Sequence, residues 1–228
     1  MVKIELVVFD IAGTTVNDKG NVAMAFMDAF KKHGYKVDKN EVLKVMGFRK
    51  KEAIKILLAD FKRDSDSDIN ELIEKIHDAF VDNMISFYQS ETELKPQPYA
   101  EEVFVELRER GIKVALNTGF TKAITHTILN RLNWQIGQTI DGVISSDEVE
   151  LGRPHPFMIR SLMDSLQISD VKLVAKVGDT QVDVQEGRNS GCGLVVSVTT
   201  GAYTRQQLES YDPDFVIDNL KELPPLIS

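Results

Sequence analysis

Cysteine and tryptophan are nearly absent from this sequence of 228 residues, which contains one of each, Cys192 and Trp134. A single cysteine excludes an intramolecular disulfide, so we expect apolar packing to stabilise the fold. Hydrophobic residues make up 43% of the chain and charged residues 27%, which is the balance of an ordinary globular domain. The length fits one large domain, or one domain that carries an inserted subdomain.

Long apolar runs and an excess of basic residues are also missing. No segment approaches the roughly 20 apolar residues that a membrane-spanning helix needs. The chain runs from Met1 directly into a predicted strand, so we expect no signal peptide and a cytoplasmic protein. The formal net charge is −8, which argues against nucleic acid or an anionic membrane as a partner. A local positive pocket for a small phosphorylated or phosphonate substrate is compatible with this charge.

Alternating strand and helix patterns predict the fold class. Strands are predicted at residues 4–9, 113–117, 142–145, 173–177, 194–198 and 215–217. Helices are predicted between them at residues 100–110, 122–132, 156–166 and 183–190. Repeated strand–helix units indicate a parallel sheet with helices on both faces. The sequence therefore predicts an α/β fold with a doubly wound, Rossmann-like core.

A helical segment interrupts this alternation after the first strand. Helical periodicity is found near residues 22–30 and at 40–45, 50–61 and 68–87, with no convincing strand among them. We therefore predict an all-helical cap at residues 17–94, inserted into a core of residues 1–16 and 95–228. The sequence leaves the oligomeric state open, with a homodimer as one alternative.

Polar residues follow the predicted strands at the positions where these strands end. Asp10 ends the first strand, Thr118 follows the second, and Asp179 comes shortly after the strand at 173–177. Asp183 lies one helical turn further on, and Arg153 lies in a loop before a helix. Because the carboxyl ends of parallel strands meet at one edge of a sheet, we expect these side chains to form one site.

Three carboxylates in one site repel one another unless a cation lies between them. Oxygen ligands at a phosphoryl site are typical of Mg²⁺, which binds few carboxylates and keeps several waters. We therefore predict that Asp10, Asp179 and the backbone carbonyl of Ala12 bind Mg²⁺. We expect Asp183 to orient a metal-bound water, and Arg153 to neutralise the phosphoryl group.

The haloacid dehalogenase superfamily carries the same residue types in the same chain order. The resemblance covers nearly the whole chain and rests on five positions, namely Asp10, Thr118, Arg153, Asp179 and Asp183. In that superfamily the first Asp is a nucleophile that takes the phosphoryl group, and an Asp two residues later is a general acid/base. The resemblance therefore implies a Mg²⁺-dependent hydrolase with Asp10 as nucleophile and Thr118 and Arg153 as catalytic partners. Ala12 stands where the second acid is expected.

Ala12 indicates which group within the superfamily this sequence resembles. Residues 10–15, with the sequence DIAGTT, are similar to the opening motif of the phosphonatase (phosphonoacetaldehyde hydrolase) and phosphonatase-like group. Arg153, in a Gly-Arg-Pro sequence, also matches that group. A phosphatase that expels an alkoxide gains roughly 10²–10⁴ in rate from a positioned acid, which position 12 lacks. Phosphonatases avoid this need, because a cap lysine forms a Schiff base with the substrate aldehyde.

The lysine that this mechanism requires is present in the predicted cap. Residues 46–50, with the sequence MGFRK, match the phosphonatase pattern Met-Gly-x-x-Lys, so the resemblance assigns the Schiff base to Lys50. Arg49 and Lys51 flank it, and we expect their charges to lower the pKa of the Lys50 amine. Substrate contacts are expected at five further positions: Gly13, Thr14, Met46, Gly47 and Gly119.

Three residues depart from the phosphonatase pattern. Ala53 stands where that group has a histidine that helps proton transfer, Phe120 replaces a tyrosine, and Ile11 replaces a tryptophan. These departures leave a second function open, a phosphate monoesterase of the phosphoglycolate-phosphatase type. It would need a replacement acid, such as His155 or a metal-polarised water. A non-catalytic phospho-accepting module is a third alternative, although such a domain would be shorter and would lack the cap.

Overall fold

The computed structural model describes residues 3–59, 61, 69–90 and 94–228. The strands within these ranges form one sheet, comprising β1 (Leu6–Phe9), β2 (Lys113–Thr118), β3 (Gly142–Ser145), β4 (Val174–Gly178), β5 (Leu194–Val198) and β6 (Phe215–Ile217). Neighbouring strands are parallel, and their order is β3-β2-β1-β4-β5-β6. The chain runs outward from β1 on one side and then on the other, which confirms the predicted Rossmann-like core.

The register of the central strands places the predicted catalytic residues at one edge of the sheet. Phe9, the last residue of β1, pairs with Leu116 of β2 and with Val177 of β4. The residues that follow these three positions, among them Asp10 and Thr118, therefore share the carboxyl edge. This edge lies where the strand order reverses, which is the usual ligand-binding crevice of such sheets.

The helices between β1 and β2 form the cap, and they are α1 (Asn21–Lys32), α2 (Lys39–Lys44), α3 (Lys50–Leu58) and α4 (Ile69–Ser90). The predicted helical insertion is therefore confirmed. α1 packs against α4, where the ring centroids of Phe26 and Phe80 lie 4.4 Å apart. α3 ends at Leu58 rather than at the predicted residue 61. The predicted start of α4 at residue 68 lies outside the described residues.

The two segments that connect the cap to the core run side by side. Val16 and Pro96 form an antiparallel bridge. The amide of Asn17 donates to the carbonyl of Lys95 at 3.1 Å. The predicted domain boundaries after residue 16 and before residue 95 fall at this point and remain predictions.

The remaining helices cover the sheet, and they are α5 (Ala100–Glu109), α6 (Lys122–Leu132), α7 (Phe157–Leu166), α8 (Gln181–Ser190) and α9 (Arg205–Glu209). Alternate residues of β1 face two apolar layers. Phe9 belongs to a large cluster that extends into the cap, whereas Val8 belongs to a smaller one. α9 is absent from the sequence prediction. Among the described helices, none has the length and apolar character of a membrane span.

Candidate active site

Asp10 lies at the carboxyl end of β1 and is only 5% exposed. Its amide donates to the carbonyl of Val177 at 2.9 Å, and this bond fixes the start of the loop that follows. Nη1 of Arg153 lies 2.8 Å from Oδ1 of Asp10. Burial raises the pKa of Asp10, and Arg153 opposes this effect without cancelling it. The predicted nucleophile is therefore aimed into the crevice and held by the predicted cation.

Asp179 follows β4 and is almost completely buried. Its Oδ1 accepts a hydrogen bond from Oγ1 of Thr14 at 3.0 Å, and its Oδ2 accepts one from the amide of Ala202 at 2.7 Å. A Cβ on Gly201 would lie 1.9 Å from Oδ2 of Asp179, so the loop can approach this closely only as glycine. Burial raises the pKa of Asp179 well above its usual value, and the neighbouring Asp10 adds to this effect.

Asp183 connects the start of α8 to Arg153. Its Oδ2 accepts hydrogen bonds from Oγ1 of Thr180 at 2.5 Å and from the amide of Thr180 at 3.2 Å, and the second of these bonds belongs to a capping box at the start of α8. Its Oδ1 binds Nη1 of Arg153 and lies 3.0 Å from Nζ of Lys176. Burial opposes the ionised form of Asp183, but Arg153 and Lys176 outweigh burial and lower its pKa. The capping box also explains why α8 begins at Gln181, before the predicted residue 183.

A buried polar network behind Asp183 escaped the sequence analysis. Lys176 is fully buried in β4, and its Nζ lies 2.6 Å from Oδ1 of Asn117 and 3.2 Å from Oε2 of Glu186. Nδ2 of Asn117 donates to both carboxylate oxygens of Glu186 at 2.9 Å. The signal that could have revealed this network is a lysine within an apolar strand, because a buried charge needs a partner.

The charges around the site fit a divalent cation. Among the described residues, this buried region holds four carboxylates, those of Asp10, Asp179, Asp183 and Glu186. Two basic side chains face them, Arg153 and Lys176, so the carboxyl groups outnumber their basic partners by two. Burial is the main cause of the raised pKa of Asp179, and the neighbouring carboxylates of Asp10 and Asp183 raise it further. Carboxylate and carbonyl oxygens are the donors that Mg²⁺ prefers, so the residues present suit this ion.

Lys50 is the first residue of α3 and is only 4% exposed. Its Nζ lies 5.5, 5.8 and 5.0 Å from the ring centroids of Phe26, Phe80 and Phe120, which we name the phenyl cage. Burial lowers the pKa of the Lys50 amine to about 7, and the charge of Arg153 acts in the same direction. Three carboxylates oppose the change, and these belong to Asp10, Asp18 and Asp183.

The neighbours of Lys50 in the sequence do not have the role that we predicted for them. Nη1 of Arg49 donates to the carbonyl of Glu150 at 2.9 Å, and Nζ of Lys51 binds Oε2 of Glu74 at 2.6 Å. Burial, followed by Arg153, is the main cause of the lowered pKa of Lys50. The prediction that Arg49 and Lys51 lower this pKa is therefore corrected. Sequence proximity misled here because a helix directs adjacent side chains away from one another.

One small pocket between cap and core collects most of the predicted site residues, and we name it the active-site pocket. Those that line it are Asp10, Ala12, Met46, Gly47, Lys50, Thr118, Gly119, Arg153 and Asp179. Val22, Phe120 and Thr180 also line it and were not predicted as site residues. The space that they leave is about 20 Å³, about what one water molecule occupies. The cap is therefore closed over the core, and the space between them is too small for a substrate in this conformation.

Two predicted substrate contacts, Gly13 and Thr14, lie behind the pocket wall rather than in it. Thr14 binds Asp179, and the carbonyl of Gly13 accepts a hydrogen bond from Oγ1 of Thr200 at 2.7 Å. Gly13 has a φ of 91°, and a Cβ there would lie 2.6 Å from Oδ2 of Asp179. Their contact with substrate remains a prediction. His155, the candidate replacement acid, is exposed and lies outside the pocket lining.

The cap loop at residues 46–49 rests directly on core loops. A Cβ on Gly119 would lie 2.5 Å from the carbonyl oxygen of Phe48, and a Cβ on Gly47 would lie 2.7 Å from Oγ1 of Thr180. Oγ1 of Thr118 accepts a hydrogen bond from the amide of Phe120 at 3.1 Å, which leaves its own hydrogen to donate. Glycines at positions 47 and 119 therefore allow the cap to bring Lys50 to the phosphoryl site.

Comparison with known proteins identifies the family. The family model for haloacid dehalogenase-like hydrolases matches residues 7–197. The chain is 33% identical over 226 residues to the phosphonoacetaldehyde hydrolase of Bacillus cereus (strain ATCC 14579), covering 92% of this chain and 83% of that protein. In an alignment of 262 positions, gaps included, it is 31% identical to the phosphonoacetaldehyde hydrolase of Latilactobacillus sakei subsp. sakei (strain 23K). This match covers 100% of this chain and 96% of the relative.

A solved structure agrees at the level of the fold. The crystal structure of a phosphonoacetaldehyde hydrolase-like protein from Oleispira antarctica superimposes with a TM-score of 0.84 at 24% identity. The match covers 98% of this chain and 91% of that structure. With the family match, the relatives and the Asp10 site together, this chain belongs to the haloacid dehalogenase-like hydrolases and is a phosphonatase-like enzyme.

Proposed function

We propose that the protein cleaves the carbon–phosphorus bond of phosphonoacetaldehyde, or of a closely related small phosphonate, through a Schiff base on Lys50. The observation that carries this proposal is the placement of Lys50 and Asp10 in the lining of one small pocket. The pKa of Lys50 is lowered by burial to about 7, so a large fraction of the amine is neutral near neutrality. A neutral amine and a carboxylate nucleophile can then act on the two ends of one short substrate.

The first step joins the substrate aldehyde to Lys50. The lone pair of Nζ attacks the carbonyl carbon, the carbonyl oxygen leaves as water, and one proton from solvent gives the iminium. The positive nitrogen withdraws electrons from the adjacent carbon–phosphorus bond. Lys50 therefore provides an electron sink that makes an added acid at position 12 unnecessary.

The second step transfers the phosphoryl group. Oδ2 or Oδ1 of Asp10 attacks phosphorus, and the carbon–phosphorus electron pair moves to form an enamine with the Lys50 nitrogen. Arg153 stabilises the negative charge of the phosphoryl group, and Thr118 is placed to donate a hydrogen bond to it. Protonation of the enamine carbon and hydrolysis of the imine release acetaldehyde, and water hydrolyses the aspartyl phosphate to phosphate.

Asp10, Asp179 and the backbone carbonyl of Ala12 would hold Mg²⁺, which when bound supplies positive charge beside the phosphoryl oxygens. Asp183 is bound to Arg153, Lys176 and Thr180, so we expect it to act on a metal-bound water rather than on the ion itself. Closure of the cap limits the access of bulk water to the imine and to the phosphoryl site.

A phosphate monoesterase that acts on phosphoglycolate or a similar ester is the competing function, and two observations weigh against it. Ala12 offers no proton to an alkoxide leaving group, and His155 lies outside the pocket. The carboxylate of phosphoglycolate would need its own cation. Among the described lining residues the basic groups are Lys50 and Arg153. Arg153 already binds two carboxylates, and the lowered pKa of Lys50 leaves a large fraction of its amine uncharged.

Reductive trapping tests the proposed function. The enzyme is incubated with phosphonoacetaldehyde and Mg²⁺, borohydride is added, and the labelled peptide is identified by mass spectrometry. We expect a reduced two-carbon adduct on Lys50 and none on Lys51, which is 40% exposed and serves as the control. Lys50→Arg keeps the positive charge but cannot form the adduct, so it should lose phosphate release from this substrate.

Two outcomes would contradict the proposal. One is phosphate release from phosphonoacetaldehyde by Lys50→Arg at the wild-type rate. The other is failure to trap Lys50 together with rapid hydrolysis of small phosphate esters, which would favour the monoesterase. Ala12→Asp then distinguishes the two enzymes, because restoring the acid should raise ester hydrolysis only if the site already binds esters productively.

A further inference from the structure

The amine of Lys50 lies in an apolar enclosure formed by two different units of the chain. Phe26 comes from α1 and Phe80 from α4 of the cap, whereas Phe120 comes from the core loop after β2. The rings are each at most 1% exposed, and Nζ of Lys50 is within 5.8 Å of all three centroids. The cage is therefore completed only when the cap is closed on the core.

Polar partners for this amine are scarce among the described residues. Its one hydrogen bond is to the carbonyl of Phe48, at 3.5 Å. Ala53, one turn further along α3, is fully buried and offers no proton donor or acceptor. Phe120 has no hydroxyl to offer. The positions where the phosphonatase pattern has a histidine and a tyrosine thus carry only apolar groups here.

We propose that the phenyl cage of Phe26, Phe80 and Phe120 takes the place of a side-chain base and keeps the Lys50 amine neutral and nucleophilic when the cap closes. These phenylalanines are positioning residues, since they act through Lys50 and not on the reacting bond. The inference rests on the proposed function, because it explains how Lys50 starts imine formation without a neighbouring histidine.

Two physical effects of the cage oppose each other, and their sizes decide which one prevails. Removal of a lysine from water lowers its pKa by about 3 to 5 when burial is complete. A phenyl face attracts the ammonium and favours the charged form, by roughly 2- to 30-fold in the equilibrium constant for each ring. Distances of 5.0 to 5.8 Å lie near the outer limit of about 6 Å for this attraction. Over three rings this attraction amounts to roughly 10- to 10⁴-fold, against roughly 10³- to 10⁵-fold for desolvation. Desolvation therefore prevails, in agreement with the lowered pKa of Lys50, of which burial is the largest cause.

Charged groups that face Lys50 from other elements act on it in both directions. Arg153, in the loop before α7, disfavours the ammonium. Asp10 after β1, Asp18 in the linker before α1 and Asp183 in α8 favour it. Asp18 is held by the amides of α1, the nearest being that of Asn21 at 2.7 Å. Tyr88 of α4, whose ring lies 6.1 Å from that of Phe120, stays neutral because burial raises its pKa.

The cage also defines how protons move during imine formation. The neutral amine attacks the carbonyl carbon, and the two amine hydrogens and the carbonyl oxygen leave together as water. The iminium needs one further proton, which comes from solvent because the cage holds no acid. No oxidant or reductant is required, so the step is balanced by substrate, amine and water alone.

The test measures the rate of reductive alkylation of Lys50 as a function of pH. The whole enzyme with Mg²⁺ is treated with acetaldehyde and cyanoborohydride, and modification of Lys50 and of Lys51 is quantified in the same digest. Modification of Lys51 shows that the reagent is active at each pH. We expect the rate at Lys50 to level off above about pH 8, whereas that of an ordinary lysine rises to about pH 10.

A matched pair of variants separates the effect of the apolar enclosure on Lys50 from the effect of disturbed packing. Phe120→Leu keeps the enclosure apolar but removes a phenyl face, so the midpoint of the Lys50 profile should stay or move slightly lower. Phe120→Gln is of similar size to leucine but polar, and should raise the midpoint by one pH unit or more. Phe26→Gln gives the same measurement from the cap side if Phe120→Gln fails to fold.

The inference is overturned if the rate at wild-type Lys50 keeps rising up to about pH 10, or if the leucine and glutamine variants shift the midpoint equally. Failure of the proposed function looks different. In that case acetaldehyde still modifies Lys50 near neutral pH with the expected variant pattern, but no phosphate is released from phosphonoacetaldehyde. If phosphonoacetaldehyde is cleaved through Lys50 while the leucine and glutamine variants do not differ in the midpoint of the Lys50 profile, the proposed function stands. The proposed role of the phenyl cage is then refuted.

Discussion

Lys50 and Ala12 together determine which chemistry is open to Asp10. Ala12 places no carboxylate beside Asp10, and in the proposed mechanism Lys50, which lines the same pocket, supplies the electron sink. The amine has to remain neutral to act, and burial achieves this at a cost in folding free energy, since an ordinary lysine would be charged. Burial of Lys50 therefore lowers the free energy of unfolding while it keeps the amine reactive.

The cost can be measured by replacing Lys50 with methionine, an apolar side chain of similar length. Burial lowers the pKa of Lys50 from 10.5 to about 7, so between these values the unfolded chain binds more protons than the native protein. Wild-type stability should therefore rise with pH in this range relative to the variant. We expect Lys50→Met to be more stable by roughly 3 to 5 kcal/mol at pH 6 to 7, with the difference shrinking towards pH 10. Urea denaturation at a series of pH values checks this, and a pH-independent difference would contradict it.

β4 and α8 are joined by charges as well as by apolar packing, through Lys176, Asp183 and Glu186. Loss of one partner in a buried ion pair leaves the others unpaired, which costs about 3 to 5 kcal/mol. We expect Lys176→Met to destabilise the protein by about this amount. The double variant Lys176→Met/Glu186→Gln should recover much of the loss, because Asn117 can still bind the new amide. Thermal and urea unfolding of the single and double variants check this, and strict additivity of the two changes would refute it.

Much of the secondary structure could be predicted from the sequence. β3, β5, β6 and α6 lie at their predicted residues because alternation and turn residues mark their ends. The alternating pattern predicts that the strands are parallel, so Asp10 and Asp179 could be placed at the same edge of the sheet from the sequence alone. The partners of Lys176 could not be predicted from the sequence, because they depend on the register of β1, β2 and β4. The phenyl cage could not be predicted either, since it requires the cap to be docked on the core.

The whole molecule places an excess of negative charge at the contact between the cap and the core. Four buried carboxylates face Arg153 and Lys176, and a divalent cation would balance the remainder. Since a ligand that binds the native state alone stabilises it, Mg²⁺ should raise the melting temperature of the wild type. Asp179→Asn removes one negative charge and one ligand, so its melting temperature should respond little to Mg²⁺. Differential scanning calorimetry checks this at fixed ionic strength with Na⁺ as the control, and an equal response of both proteins would contradict the assigned site.

A single comparison of two substrates tests the proposed roles of the closed cap, Asp10 and Lys50 together. Phosphate release is measured for phosphonoacetaldehyde, where acetaldehyde is the co-product, and for phosphoglycolate, where glycolate is the co-product, with wild type and Lys50→Arg in the presence of Mg²⁺. We predict that the wild type prefers phosphonoacetaldehyde in kcat/KM by about 10²-fold or more, the rate factor associated with the missing acid, and that Lys50→Arg abolishes this preference. An equal or greater kcat/KM for phosphoglycolate, unchanged in Lys50→Arg, would contradict the account.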